Sequence, residues 1–237
     1  MICVYEKCPI FEDSSYTLRL INNGDCSDLL KVYSDTKSVP LFNSDNCYGD
    51  DFHYTTEEQM ANAIAFWIDK YEHKDFVRWS IVDNYTREVV GTIELFHRDA
   101  NDYFTNCGLL RLDLRSDYEV HSKILKILSL ILNTTFDLFC CNKIATKAIP
   151  DAVERIKALN QLGFKLADEK LIGHDDTEYE NYYVLYKKHE IKLDCLSKSL
   201  TKTTFYGYLL KPVVFSSEIL CIFLTKKVSS TKLYNSS

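Results

Sequence analysis

Glu94 is the residue whose type and position most clearly suggest chemistry. It lies in the middle of an apolar segment, residues 88–96, whose alternation predicts a strand. A carboxylate there is costly unless it is paired, lies in a cleft or is protonated. Burial would raise its pKa toward the range in which it takes a proton from an ammonium group. We interpret Glu94 as a candidate general base; the alternatives are a solvated face or an ion pair with Arg78 or Arg111.

Asp113 is the second candidate for the base. It lies in a predicted strand, residues 107–114, together with Arg111, and Arg115 follows directly. Strands that are buried on both faces are nearly continuous runs of apolar residues. The alternating charges therefore count against burial of this strand on both faces.

The histidines and cysteines do not predict a metal site. The six histidines contain no i,i+4 pair, and Cys140 and Cys141 are chain neighbours that cannot easily share a metal. The nine cysteines are odd in number and include no Cys-x-x-Cys pair. This pattern favours reduced thiols in a cytoplasmic protein over a disulfide framework.

The elements that must position these residues follow from periodicity and turn signals. Strands are predicted at residues 16–21, 77–82, 88–96, 107–114, 142–149, 165–172 and 181–186. Helices are predicted at residues 25–33, from 55 to 71, from 117 to 132 and from 150 to 162. The order β-α-α-β-β-β-α-β-α-β-β predicts an α/β fold with a mixed sheet covered by helices on both faces.

Local signals define where several of these helices begin and end. Thr55 and Glu58 predict a capping box at the start of the second helix, and Ser116 and Glu119 predict another before the third. Proline fits the first position of a helix, so Pro150 is expected to open the fourth. Gly163, followed by an apolar Phe164, predicts a glycine cap at its end.

Three segments together resemble the GNAT superfamily of acyl-CoA-dependent N-acetyltransferases. They are residues 90–96 (VGTIELF), 110–119 (LRLDLRSDYE) and 158–164 (ALNQLGF), each at the end of a strand or helix. The ribosomal-protein N-terminal acetyltransferases look like the nearest branch. The resemblance implies a mixed, mostly antiparallel sheet and acetyl-CoA as the co-substrate. It also implies transfer of an acetyl group to a primary amine of a peptide or a small molecule.

The resemblance also places a donor site. In the family, the strand that corresponds to residues 109–114 parts from the next strand, and the acyl thioester lies in the gap. Backbone N–H groups near Leu112 and Leu114 would then stabilise the oxyanion, and Tyr183 or Tyr182 would act as the general acid. The positions expected to contact the co-substrate are Leu112, Leu114, Tyr118, Val120, His121, Ser122, Lys123 and Arg155.

The chain departs from the family pattern where the diphosphate of CoA should bind. The family usually has Gly-x-Gly or Gly-x-Ala at the position that Val120, His121 and Ser122 occupy here. Its Asn-x-x-Ser is replaced at Ala152 and Arg155. Two hypotheses therefore stay open: an N-acetyltransferase, or a degenerate GNAT-fold binding or regulatory module without transferase activity.

Charge and hydropathy limit the partners. The net charge of −6 argues against nucleic acid, and no apolar segment reaches the 18 residues of a membrane span. Seven lysines and three acids give residues 189–237 a charge of +4, so residues 1–188 carry −6 − 4 = −10. We predict a domain at 1–188 and a C-terminal extension at 189–237, which could include a homodimer contact. The acidic loop at residues 43–51 could recruit a cationic amine.

Overall fold

The computed structural model of the protein describes residues 3–187, which form ten strands and four α-helices. The strands are β1 (Phe11–Glu12), β2 (Tyr16–Leu20), β3 (Val77–Asp83), β4 (Val89–Arg98), β5 (Cys107–Leu114), β6 (Lys143–Lys147), β7 (Lys165–Leu166), β8 (Leu171–Ile172), β9 (Glu178–Tyr179) and β10 (Tyr182–Tyr186). The helices are α1 (Cys26–Tyr33), α2 (Glu57–Glu72), α3 (His121–Leu138) and α4 (Val153–Leu162).

Eight strands form one sheet in the order β1-β2-β3-β4-β5-β6-β10-β7, and β8 and β9 form a separate hairpin. Only the β5–β6 pair is parallel; the other pairs in the sheet are antiparallel. The predicted α/β class with a mixed, mostly antiparallel sheet is therefore confirmed.

The two faces of the sheet bury different helices. Leu110, Leu112 and Leu114 of β5 share a core with α3 and α4, whereas α1 and α2 pack together over the opposite face. Alternation along β5 places Arg111 and Asp113 on the α1–α2 face. Both charged side chains are buried there, so the expectation that β5 is not buried on both faces is wrong. Ion pairs and hydrogen bonds are what make this burial tolerable.

Several helix boundaries differ from their sequence signals. The capping box of α2 forms between Thr56 and Gln59, one residue later than predicted, and α4 begins three residues after Pro150. The box predicted from Ser116 and Glu119 does not form: residues 116–118 make one 3₁₀ turn, and α3 begins after Val120 without a side-chain cap. An ion pair of Glu119, described below, competes with the predicted cap.

The predicted end of α4 is confirmed, but the strand after it is not continuous. Gly163 adopts a left-handed conformation with φ of 94°, and the buried Phe164 donates its N–H to the Leu159 carbonyl. Residues 165–172 then divide into β7, which pairs with β10, and β8, which pairs with β9. A one-strand interpretation of this segment is therefore wrong.

The seven cysteines within residues 3–187 are all free. Among the described helices, none is long and apolar enough to cross a membrane.

The predicted boundary at Lys188 and the predicted extension at 189–237 lie outside the described residues. The buried core clusters that the structure describes use residues 4–184, and a domain of this size can bury its own core. We expect a chain cut after Lys188 to unfold in one cooperative transition, which calorimetry would show as equal calorimetric and van't Hoff enthalpies. An insoluble chain, or one without a transition, would place the boundary elsewhere.

Candidate active site

The central feature of the site is the point where β5 and β6 separate. Their parallel pairing runs from Cys107 and Lys143 to Leu110 and Thr146, whereas β5 continues to Leu114. Beyond Leu110, β5 pairs on one side only, with β4. A gap therefore opens between the two strands, as the family resemblance implied.

The backbone of β5 presents polar groups to this gap. The Arg115 N–H donates to the Val90 carbonyl, and Asp113 pairs in register with Thr92. Because hydrogen bonding alternates along an antiparallel pair, the N–H groups of Leu112 and Leu114 point away from β4, toward the gap. Both side chains are buried in the α3 core, so these residues can serve a ligand only through their backbone.

Asp45, in the loop between α1 and α2, bridges the parted strands. Arg111 of β5 donates to its carbonyl oxygen at 2.9 Å, and Lys147 of β6 donates to its Oδ1 at 2.5 Å. The Tyr182 hydroxyl of β10 donates to its Oδ2 at 3.1 Å. The acidic loop is therefore a structural part of the site, with Asp45 as its anchor.

Arg155 contacts the same loop from α4. Its guanidinium forms an ion pair with Glu119 and donates at 2.9 Å to the Leu41 carbonyl. Arg155 is 2% exposed, so it is not the solvated helix arginine that is commonest at such positions. This contact connects α4 to the loop from the opposite face of the sheet, close to where the arm of CoA lies in the family.

The first turn of α3, where the family binds the diphosphate, is partly occupied by the chain itself. The Glu154 carboxylate of α4 accepts a hydrogen bond from the His121 N–H at 3.1 Å. The His121 ring lies 2.8 Å from the Gln161 side-chain oxygen, and Lys123 donates to the Asp117 carbonyl at 2.9 Å. A diphosphate at this turn would therefore have to displace the Glu154 carboxylate and compete for Lys123.

The remaining predicted contact residues are divided between core and surface. Tyr118 is buried and its hydroxyl donates to Asp83 at 2.8 Å, and this bond together with burial raises the Tyr118 pKa. Val120 and Ser122 are exposed at the start of α3. Of the predicted contact residues, only Val120 and Ser122 are exposed.

Glu94 lies in a buried ion-pair cluster. It is 1% exposed, with Arg78 at 2.5 Å from Oε2 and Arg111 at 2.6 Å from Oε1. Burial opposes the charge, but the two guanidinium groups outweigh it and lower the pKa of Glu94. The expectation that burial raises the pKa of Glu94 is therefore wrong. The alternative prediction is correct, since Glu94 forms ion pairs with both Arg78 and Arg111.

The pKa of Asp113 is shifted upward, in the opposite direction from that of Glu94. Burial raises its pKa, although Arg78 at 3.2 Å and the Tyr33 hydroxyl at 2.9 Å both favour the charged form. Its Oδ1 has no hydrogen-bond partner within the described residues. Asp113 is fully enclosed and is not among the residues that line the cavity described next, so a proton acceptor role would require the site to open.

A cavity of about 730 Å³ lies on the face of the sheet that bears Glu94 and Arg111. Arg78, Glu94 and Arg111 line it together with Asp45 of the loop and Tyr182. Several of its other walls are aromatic: Phe52, Phe66, Trp67, Phe76 and Phe96. Charge at its base and aromatic surface at its sides suit a ligand that is partly apolar and carries a polar group.

Of the two neighbouring tyrosines, Tyr182 rather than Tyr183 lines this cavity. Tyr183 belongs to the core on the α3 side, where burial raises its pKa. Because successive residues of a strand face opposite ways, one of the pair had to be excluded from the cavity. The family analogy alone did not show which one.

Three further residues lie at the cavity: Asp50 and Tyr48 belong to the acidic loop that the sequence analysis singled out, and His174 was not predicted. Asp50 accepts hydrogen bonds from the Phe52 N–H and the Tyr54 hydroxyl and forms no ion pair within residues 3–187. Tyr48 and His174 stack with ring centroids 5.9 Å apart. The signal for Asp50 and Tyr48 was the acidity of a long loop without periodicity. His174, on the β8–β9 hairpin, had no recognisable signal.

The fold is similar to that of several solved acetyltransferases. The ribosomal-protein-S5-alanine acetyltransferase from Vibrio fischeri matches with a TM-score of 0.55 and 19% identity, over 76% of this chain and 96% of that chain. RimJ from Mycobacterium smegmatis, solved with CoA-disulfide, matches with a TM-score of 0.56 and 11% identity, over 82% and 88%. A GNAT-family acetyltransferase from Bacillus anthracis matches with a TM-score of 0.54 and 13% identity, over 75% and 98%.

No protein-family model and no curated protein matches the sequence. The structural likeness nevertheless covers about three quarters of this chain and nearly all of two of the neighbours. The chain therefore has the GNAT fold.

Proposed function

We propose that this chain is an N-acyltransferase that moves an acyl group, acetyl in the simplest case, from a pantetheine thioester such as acetyl-CoA to a primary amine. The observation that carries the proposal is the separation of β5 and β6 beyond Leu110. It leaves the N–H groups of Leu112 and Leu114 directed toward the gap in which the family holds its thioester. Paired backbone donors of this kind stabilise a tetrahedral oxyanion.

The reaction is a direct transfer. The amine nitrogen bonds to the thioester carbonyl carbon, the C–S bond then breaks, and the thiolate leaves and takes up a proton. The amine must lose one proton on the way. With its pKa lowered by two arginines, Glu94 is ionised but weakly basic, so water is the proton acceptor that this geometry favours.

The cavity beside Glu94 is the proposed acceptor site. Asp50 supplies a carboxylate without an ion pair among the described residues. The aromatic walls already face the charged groups of Lys70, Arg78 and Arg111, so they offer the carbon chain of an amine apolar surface to pack against. The acceptor class that fits is a cationic primary amine of a peptide or small molecule. We assign the reaction to the cytoplasm because free cysteines suit a reducing compartment.

A second candidate function is a GNAT-fold binding or regulatory module that no longer transfers an acyl group. Specific observations favour it: Glu154 occupies an amide at the turn where the family binds the diphosphate, and Arg155 stands in place of the family's serine and is held by Glu119 and the Leu41 carbonyl. In such a module the cavity would bind its ligand without chemistry.

Binding and transfer of acetyl-CoA separate the two candidates. We expect acetyl-CoA at a hundred times its dissociation constant to stabilise the fold by about 2.7 kcal/mol, measured as a shift in the thermal melt. We also expect mass spectrometry to detect acetylation in a pool of amines and peptides with free N-termini. ADP at equal concentration is the control, since it lacks the thioester. Binding of acetyl-CoA without transfer would favour the module. If neither acetyl-CoA nor S-acetylpantetheine binds or donates an acetyl group, the transferase proposal is contradicted.

A further inference from the structure

The carboxylate of Glu154 lies where an enzyme of this fold receives a diphosphate. It accepts a hydrogen bond at 3.1 Å from the His121 N–H in the first turn of α3. Lys157 holds the same carboxylate at 2.6 Å and is the first cause of its lowered pKa, so Glu154 remains ionised at neutral pH. A helix N-terminus attracts anions, and here the anion is part of the chain.

The surrounding charges also disfavour a diphosphate. Asp117, Glu119 and Glu154 place three carboxylates around this turn, and each is paired with a cation: Arg115, Arg155 and Lys157. The remaining cation, Lys123, donates to the Asp117 carbonyl and lies 3.7 Å from the centroid of the Tyr118 ring. A diphosphate would therefore have to displace a partner within the chain to reach any of these cations.

The thioester end of the same site keeps its backbone groups. Leu112 and Leu114 direct their N–H groups toward the gap beyond the last β5–β6 pair, as described above. The two ends of one donor site therefore differ: the part that would hold the acyl group is retained, and the part that would hold the nucleotide is occupied.

We propose that Glu154 is a specificity-determining residue that excludes the nucleotide diphosphate of CoA. The preferred donor is then an acyl-pantetheine thioester without a nucleotide. This chemistry is shared by free acylpantetheine and by the acyl-phosphopantetheine arm of a carrier protein, which carries one phosphate and no adenosine. The inference rests on the proposed transferase function, because a module without chemistry needs no donor.

The test compares donors on the full-length protein. Dissociation constants are measured by calorimetry for acetyl-CoA, for S-acetylpantetheine and for a carrier protein bearing an acetyl-phosphopantetheine arm. Wild-type protein is expected to bind S-acetylpantetheine at least as tightly as acetyl-CoA. Removal of one unit charge in Glu154→Gln should tighten acetyl-CoA binding about tenfold and leave S-acetylpantetheine unchanged. Glu72→Gln, an exposed carboxylate at the end of α2, is the matched control and should change neither constant.

Each outcome decides a separate question. If the dissociation constant of the wild-type protein for acetyl-CoA is lower than that for S-acetylpantetheine by about tenfold or more, the inference is overturned and the transferase proposal stays intact. Equal constants for Glu154→Gln and wild type would also overturn it. Tighter binding of the carrier-bound acetyl-phosphopantetheine arm than of S-acetylpantetheine would support the inference and identify a carrier protein as the source of the acyl group. If no thioester binds any variant, the proposed function itself fails.

Discussion

We expect the free energy of unfolding of the Glu94→Gln variant to be about 3–5 kcal/mol lower than that of the wild type. The reason is that the neutral amide leaves two buried guanidinium groups without the anion that they share. Arg78 and Arg111 both donate to Glu94, and Arg78 is about 1% exposed. An amide oxygen can still accept one of these hydrogen bonds, but it supplies no negative charge. Urea unfolding followed by circular dichroism measures the difference.

Glu88→Gln is the matched control for this variant. Glu88 also contacts two cations, Lys31 and Arg115, but it is half-buried and its ion pairs are accessible to solvent. Its substitution should cost about 0–1 kcal/mol. If Glu94→Gln loses no more unfolding free energy than Glu88→Gln does, the stability of the buried cluster does not depend on the Glu94 charge.

The pH dependence of the Glu94 effect has a defined sign. The folded-state pKa of Glu94 lies below the ordinary value of 4.5, so the folded protein holds its proton less tightly than the unfolded chain does. The stability difference between wild type and Glu94→Gln should therefore be complete above the unfolded-state pKa and decrease as pH falls through the folded-state pKa. Turnover measured in the same variant tests the catalytic role predicted from sequence, provided that the variant is folded under the assay conditions.

The Gly91→Ala variant is expected to lose about 3 kcal/mol of unfolding free energy, because there is no room for a methyl group beside β5. A Cβ built at Gly91 would lie 2.2 Å from the backbone oxygen of Asp113 and 2.8 Å from a methyl carbon of Leu114. A backbone oxygen cannot rotate away as a side chain can. Relief therefore requires β4 and β5 to move apart exactly where β5 borders the gap.

Gly108→Ala, on β5 itself, is the control for this effect. Its added methyl would meet the Cys141 sulfur at 3.1 Å, which is a side-chain contact that can adjust. The cost should stay below about 1 kcal/mol. Equal losses in the two variants would mean that strand propensity, not the close approach at Gly91, sets the result. If β5 shifts, Gly91→Ala should also weaken acetyl-CoA binding relative to Gly108→Ala.

Periodicity was sufficient for most of the helices and strands, and the family resemblance predicted the point where β5 and β6 part. The alternation in residues 107–114 predicted β5 with its observed ends, and Gly163 with Phe164 predicted the end of α4. These signals are local, since they depend on neighbours within one or two turns. The family resemblance then supplied the order in which such elements pair.

The charge pairing at the site could not be predicted in the same way. Ser116 and Glu119 have the spacing of a capping box, yet Glu119 pairs with Arg155, 36 residues away. The Glu154 carboxylate, 33 residues away, accepts a hydrogen bond from the first turn of α3, and no pattern in the sequence indicates this. A long-range ion pair that is buried competes with a local hydrogen bond that is exposed to water, and only the folded structure shows which one forms.

The bridging contacts of Asp45 set an order of events during synthesis of the chain. Lys147 and Tyr182 lie 102 and 137 residues further along, so the α1–α2 loop cannot acquire these partners until the ribosome has made most of the described protein. Loop closure over such distances is slow compared with the local pairing of β3 with β4. The cavity should therefore be among the last parts of the protein to form as the chain leaves the ribosome. In hydrogen-exchange measurements, amides near Asp45 should gain protection later than those of the β3–β4 hairpin.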